Sequence, residues 1–175
     1  YENAFKGIIE VGEFATTTEK MVAISKAHQV CNGYIYLPDK VVHRYHDNGK
    51  LPYLDKYVAQ DKCVIVYKHI ADYEDLCKKF GNQATNKVDE FKRGGHRVLL
   101  LQCGNCKSFN LQDCCNTIVF YTLDYSFIKY KQMIHRCWRL GQARATQIIV
   151  LEHENTVEQQ IWLAVQTKQT VHNMY

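Results

Sequence analysis

Lys62-Cys63-Val64-Ile65-Val66-Tyr67-Lys68-His69-Ile70-Ala71-Asp72-Tyr73-Glu74-Asp75-Leu76-Cys77-Lys78-Lys79-Phe80 is the stretch whose reading decides the fold. Cys63 to Tyr67 is an unbroken apolar run of strand length, as expected of a strand covered on both faces. Ala71 to Phe80 puts Leu76, Cys77 and Phe80 on one side of a helix, with Gly81 as its stop. The alternation continues downstream. Arg97 to Leu101 reads as a second buried strand, Thr117 to Tyr121 as a third and Gln147 to Leu151 as a fourth. Val88 to Phe91 reads as a short helix broken by Gly94-Gly95. Ile128 to Leu140 reads as a helix ending at Gly141, and Thr156 to Thr170 as a last one. Strands alternating with helices make βαβ units, hence an α/β chain with a parallel sheet and helices on both faces. Ligands of such sheets bind at the carboxyl ends of the strands.

Upstream the pattern is less regular. Thr16 to Val30 reads as a helix stopped by Asn32-Gly33, Tyr34-Ile35-Tyr36 as a short strand, and Leu51 to Ala59 as a second helix. Residues 1–60 are therefore expected to be a helical lead-in that packs on the core or bridges to another unit, and residues 61–175 the main domain. The 175 residues suit one compact domain with a real core. With 46% apolar and 23% charged residues, the composition excludes a disordered chain. No apolar run approaches the roughly 20 residues that cross a bilayer, and the N-terminus lacks the regions of a signal peptide. A cytoplasmic protein with no membrane partner is the expectation. The chain begins at Tyr1 rather than Met, which reads as a piece cut from a longer protein.

A net charge of +4 selects no partner by itself. Its placement says more, since Asp124 to Leu151 holds five basic residues (Lys129, Lys131, Arg136, Arg139, Arg144) and one acid, Asp124. Polyanion binding and a solvated helix face both fit that stretch. The eight cysteines are not spaced for a metal. Only Cys103-Gly104-Asn105-Cys106 is a C-x-x-C, and the adjacent Cys114-Cys115 suits tetrahedral chelation poorly. Reduced, buried thiols and no metal site are expected, with His43 and His46 a surface pair lacking a third ligand.

The chemistry is carried by Gln132-Met133-Ile134-His135-Arg136-Cys137-Trp138-Arg139-Leu140-Gly141-Gln142. Spacings of four and three put Gln132, Arg136 and Arg139 on one helix face. Neighbouring arginines repel each other unless an anion lies between them, and the guanidinium fork suits phosphate oxygens. A helix with salt-bridged or solvated arginines accounts for the spacing equally well.

This segment resembles motif VI of superfamily-two helicases, in the form of their SWI/SNF-like branch. The flanks are similar to that branch in the same order. Cys63 to Phe80 resembles motif IV and its helix, and Phe91 to Gln102 the approach to motif V. Asn110-Leu111-Gln112-Asp113-Cys114 resembles motif V itself, Ile118 to Asp124 the strand that follows, and Thr156 to Ile161 the closing element. The compactness of the chain is similar to that of phage-encoded members. The resemblance implies a RecA-like three-layer domain, the C-terminal one of a helicase or translocase. It implies that Arg139 is the arginine finger toward the γ-phosphate, Arg136 a second phosphate contact or relay, and Gln132 a group positioning water or phosphate. By the same resemblance Asn110 lies near the ribose, and Gln102 and Ser108 touch the nucleic-acid backbone. DNA is expected over RNA.

The chain departs from the branch where Asn105-Cys106-Lys107-Ser108-Phe109 replaces the usual glycines of motif V and only Gly104 remains, so the backbone's approach to a phosphate is altered. No P-loop and no Asp-Glu pair on a strand is found. Gly81 to Val88 imitates a P-loop, but Asn86 stands for its second glycine and Val88 for its hydroxyl residue, and it reads as a loop after a helix. ATP and Mg2+ are therefore expected to be held mainly by an N-terminal P-loop domain of the same protein. Two other readings stand beside this one: a nucleic-acid-binding module of the same fold without ATP turnover, and a small-molecule-binding α/β domain with a redox C-x-x-C at Cys103.

Overall fold

The computed structural model describes residues 17–39, 41–45, 49–58, 61–104, 109–138 and 144–173. In chain order its elements are α1 (Thr17–Cys31), β1 (Tyr34–Tyr36), β2 (Val42–Arg44), α2 (Leu51–Val58), β3 (Cys63–Tyr67), α3 (Ile70–Phe80), β4 (Ala84–Thr85), α4 (Val88–Arg93), β5 (Val98–Gln102), β6 (Thr117–Phe120), α5 (Phe127–Cys137), β7 (Gln147–Val150) and α6 (Val157–Asn173).

The continuous apolar run at Cys63–Tyr67 lies at the centre of a five-stranded sheet of order β4-β5-β3-β6-β7, and all of its residues are buried. Every neighbouring pair is parallel. Side chains alternate between faces as the pleat requires. Val64, Val66, Leu99, Leu101, Ile118 and Phe120 face α4, α5 and α6, meeting Phe91, Met133 and Ile161. Cys63, Ile65, Val98, Leu100 and Val119 face α2 and α3, meeting Leu54, Val58, Leu76 and Phe80. The result is three layers, helix on sheet on helix, with a core on each side. Each large side chain so buried contributes roughly 1.5–3 kcal/mol.

The structure adds two strands to the sequence reading and shortens one helix. Ala84–Thr85 pairs in parallel with Val98–Leu99, so the stretch from Gly81 to Val88 is a single 3-10 turn running into an edge strand, not a loop able to wrap a phosphate. Tyr34–Tyr36 pairs antiparallel with Val42–Arg44, so a hairpin interrupts the two helices of the lead-in. The predicted helix over 128–140 ends at Cys137: Trp138 is already extended, with φ −114° and ψ 123°. A remote segment causes this early stop, since the amide of Leu111 donates to the carbonyl of Arg136 at 2.8 Å. An orphan carbonyl of the last turn is thereby satisfied without Gly141.

The lead-in is tied to the core by polar groups as well as packing. Asp72, fully buried in the first turn of α3, accepts from Tyr34 Oη (2.7 Å), Thr122 Oγ1 (2.9 Å) and the amide of His69 (2.9 Å). Burial, with the Asp72 carboxyl beside it, pushes the Tyr34 hydroxyl far above its ordinary range and keeps it a donor. Asp72→Ala would orphan two buried hydroxyls at once. It is expected to lower unfolding stability by about 2–3 kcal/mol, read as a shift in the urea midpoint at unchanged slope.

Candidate nucleotide and nucleic-acid site

Helix α5 begins with Ser126, whose Oγ accepts from the amide of Lys129 at 3.4 Å. Its buried stripe of Tyr130, Met133 and Cys137 seats it on the sheet. That seating leaves Gln132 exposed and Arg136 half-buried, four residues apart on one face. Arg139, Gly141 and Gln142 lie outside the described residues, as does Ser108. The structure thus brings two members of the predicted trio together on the helix, and the helix stops before the third.

Arg136 is held on several sides. Its carbonyl accepts from Leu111 N–H, and its guanidinium carbon sits 5.6 Å from the centre of the Phe109 ring. Cys137, the next residue, has its Sγ 3.8 Å from Cys115 Sγ, both thiols being free and buried. The segment around Asn110 and the end of α5 are therefore one unit. Within it the buried Nε of Arg136 has no hydrogen-bond partner among the described residues. A buried donor left unpaired costs about 1–3 kcal/mol, so this guanidinium suits an anion that completes its hydrogen bonding.

Asn110 turns its own loop: its Oδ1 accepts from the amide of Gln112 at 3.2 Å. Gln102 ends β5 opposite Tyr67 and donates from Nε2 to the carbonyl of Lys68 at 3.1 Å. Both side chains line a cleft of about 790 Å³ that opens at the carboxyl ends of β3 and β5. Tyr67, Lys92, Arg93 and Phe109 share it. The sequence reading passed over these four. In sequence Phe109 reads as a replacement for a glycine and Lys92-Arg93 as part of the approach to motif V, and neither reading places them in a cleft. Phe109 is the link, since it lines the cleft and also lies under Arg136. Gly104, with φ 98°, sits where an added Cβ would come 3.6 Å from the Lys129 side chain. Lys129 itself pairs with Asp124 at 2.7 Å. Burial tends to raise the Asp124 pKa, but the Lys129 partner holds it below the ordinary carboxylate value.

Gln132, Arg136 and Asn110 include no acid or base that works near neutral pH. The arrangement can position and neutralise an anion; it cannot by itself move a proton. Burial pushes the Cys63 thiol up to about 12, and the hydrogen bond with Cys137 together with burial pushes Cys115 higher still. These are protonated, inert thiols. Among the described residues no three His, Cys, Asp or Glu side chains are grouped to hold a metal. None of the described helices is long and apolar enough to cross a membrane.

Against known structures the fold is similar to that of the C-terminal part of the Fun30 ATPase domain, with a TM-score of 0.56, 18% identity, and cover of 67% of this chain and 45% of that one. The fold is RecA-like. In sequence the chain is 26% identical over 148 residues to the helicase swr1 of Aspergillus fumigatus, an overlap of 73% of this chain and 9% of that protein. That relative is fungal, and the expected phage affinity has no counterpart in it. No family model matches the chain. The sequence similarity is to part of a helicase and the fold similarity to part of an ATPase domain. The chain spans less than half of either protein.

Proposed function

We propose that this chain is the C-terminal half of an ATP-dependent DNA helicase or translocase. In this reading residues 61–175 are the RecA-like unit, and residues 1–60 pack on it or bridge to an N-terminal P-loop domain of the same protein. The observation that carries the reading is the buried Nε of Arg136, without a hydrogen-bond partner among the described residues, in the unit that also holds Asn110. Bound by the N-terminal domain, ATP with Mg2+ supplies the phosphoanhydride whose cleavage drives movement. Arg136 contacts a phosphate, Arg139 neutralises charge growing on the γ-phosphate, Gln132 positions water or phosphate, and Asn110 adjoins the ribose. Gln102 and Ser108 meet the nucleic-acid backbone, with DNA favoured over RNA. Phe109 gives this scheme its coupling, since one ring touches both the phosphate-seeking guanidinium and the cleft.

In the intact protein, Arg136→Ala is expected to reduce nucleic-acid-stimulated ATP hydrolysis about 10²-fold while DNA affinity at fixed salt stays within a factor of about two. Unchanged hydrolysis would remove Arg136 from the phosphate site. The second reading, a nucleic-acid-binding module without turnover, draws on the missing glycines before Asn110. It predicts DNA binding by the intact protein with no stimulated hydrolysis at all, and the same assay separates the two.

A further inference from the structure

The two edges of the sheet are built differently. One edge, β4, is two residues long and is followed at once by Asn86 and Lys87, so it offers little to pair with. The other, β7, reads Gln147-Ile148-Ile149-Val150 and carries no charge, no proline and no bulge. Natural proteins blunt exposed edges with such devices, because an open apolar edge templates pairing with another chain. β7 is also the least covered of the long strands, and Ile148 is 41% exposed.

Among the described residues, one side of its backbone pairs with no strand. The amides of Gln147 and Leu151 donate inward to the carbonyls of Asn116 and Phe120. With the two-residue alternation of a parallel ladder, the amides of Ile148 and Val150 point away from the sheet. Beside this edge runs a groove of about 480 Å³ between β7 and α5. Phe127, Ile134, Trp138 and Ile148 form its apolar lining, and its basic members are Lys131 and His135, with no carboxylate among the lining residues. Trp138 is 46% exposed and lies against the His135 ring at 5.6 Å.

We propose that β7 and this groove receive an extended, acidic peptide segment, which adds a sixth strand to the sheet. The outward amides of Ile148 and Val150 and their carbonyls supply the main-chain pairing. Alternate apolar side chains of the segment fill the groove, and its carboxylates meet Lys131 and His135. Charge complementarity selects this occupant over a second copy of the chain, because β7 itself brings no carboxylate to this basic lining.

The test uses the 175-residue chain and a fluorescein-labelled decapeptide alternating Val and Glu, with a Val–Lys decapeptide beside it. Anisotropy measures binding, and amide NMR follows Ile148 and Val150. The Val–Glu peptide is expected to bind and to shift those amides, and the Val–Lys peptide to bind at least about tenfold more weakly. Ile148→Pro deletes an outward donor and one apolar lining side chain, leaves the inward ladder intact, and is expected to weaken binding about tenfold. Lys131→Glu carries the test if the proline variant does not fold, and is expected to weaken binding comparably. Equal binding of both peptides, or binding indifferent to Ile148→Pro and Lys131→Glu, overturns the proposal. So does failure of the Val–Glu peptide to bind. Concentration-dependent dimerisation that shifts the same amides without peptide makes a second copy the occupant and also overturns it.

Discussion

Arg139→Ala is expected to slow nucleic-acid-stimulated ATP hydrolysis by the intact protein roughly 10³–10⁵-fold, the range for an arginine acting on a transferring phosphoryl group. The expectation follows from the transition state. As the γ-phosphoryl leaves, charge spreads over its equatorial oxygens, and the protein's part is to place positive charge there in a site without water. Arg136 fixes the end of α5 to the Asn110 loop, and three residues on, past an extended Trp138, comes Arg139. The measurement is kcat under saturating ATP and DNA, with the KM for ATP alongside. A pure transition-state contact lowers kcat and leaves KM nearly unchanged. Arg139→Lys separates charge from geometry: a lysine keeps the charge but loses the fork, so recovery is expected to be small. Hydrolysis that survives Arg139→Ala would take the arginine-finger role away from this residue.

The parts of the fold that could be read from sequence are those where one segment decides its own structure. Cys63–Tyr67, Val98–Leu101 and Thr117–Phe120 announce themselves because strands buried on both faces need unbroken apolar runs. The spacing of Gln132 and Arg136 survives because a helix has one period. What escaped depends on distant partners. Ala84–Thr85 is a strand only because Val98–Leu99 lies beside it, and Val42–Arg44 only because Tyr34–Tyr36 does. The end of α5 is set by an amide from Leu111, twenty-five residues upstream of Arg136. The cleft is legible in part: Gln102 and Asn110 were found through motif V, whereas Tyr67, Lys92, Arg93 and Phe109 meet them only in the folded sheet. Lys50 and Glu158 were missed for a different reason. Charged residues in polar stretches read as surface, and these two are 108 positions apart.

Lys50→Met is expected to lower unfolding stability by about 3–5 kcal/mol at neutral pH, the cost of stranding one partner of a buried ion pair. Lys50 and Glu158 are each about 95% or more buried. The Lys50 ammonium donates to Glu158 Oε1, to Asn32 Oδ1 at 3.2 Å and to the Tyr121 carbonyl at 3.0 Å. It thereby joins the start of α2, the end of α1, the end of β6 and the start of α6. The other carboxylate oxygen accepts from the amide of His153 and contacts its ring Nδ1, both at 2.9 Å. Burial alone would raise the Glu158 pKa, but His153, His28 and Lys50 hold it well below its ordinary 4.5. The depressed value means that Glu158 adds stability above the unfolded pKa of 4.5, lost as pH falls toward the folded value. His28, 3.6 Å from Glu158 Oε1, is neutral: burial lowers its pKa below 6.5 and outweighs the carboxylate beside it. Burial likewise lowers His69 to about 4, against the pull of Asp72. For both rings the unfolded chain takes a proton first, so acid begins to destabilise the protein below pH 6.5, before Glu158 titrates. In Lys50→Met the carboxylate loses the ammonium among its partners and takes up a proton more easily. The deficit relative to the parent chain is therefore largest at neutral pH and shrinks on acidification, and urea unfolding across pH 4–7 measures it. Adding Glu158→Gln removes the stranded charge, and the double variant is expected to recover part of the loss, as coupled sites do in a mutant cycle. A deficit independent of pH, with no recovery in the double variant, would assign the loss to packing of the lysine stem instead of its charge.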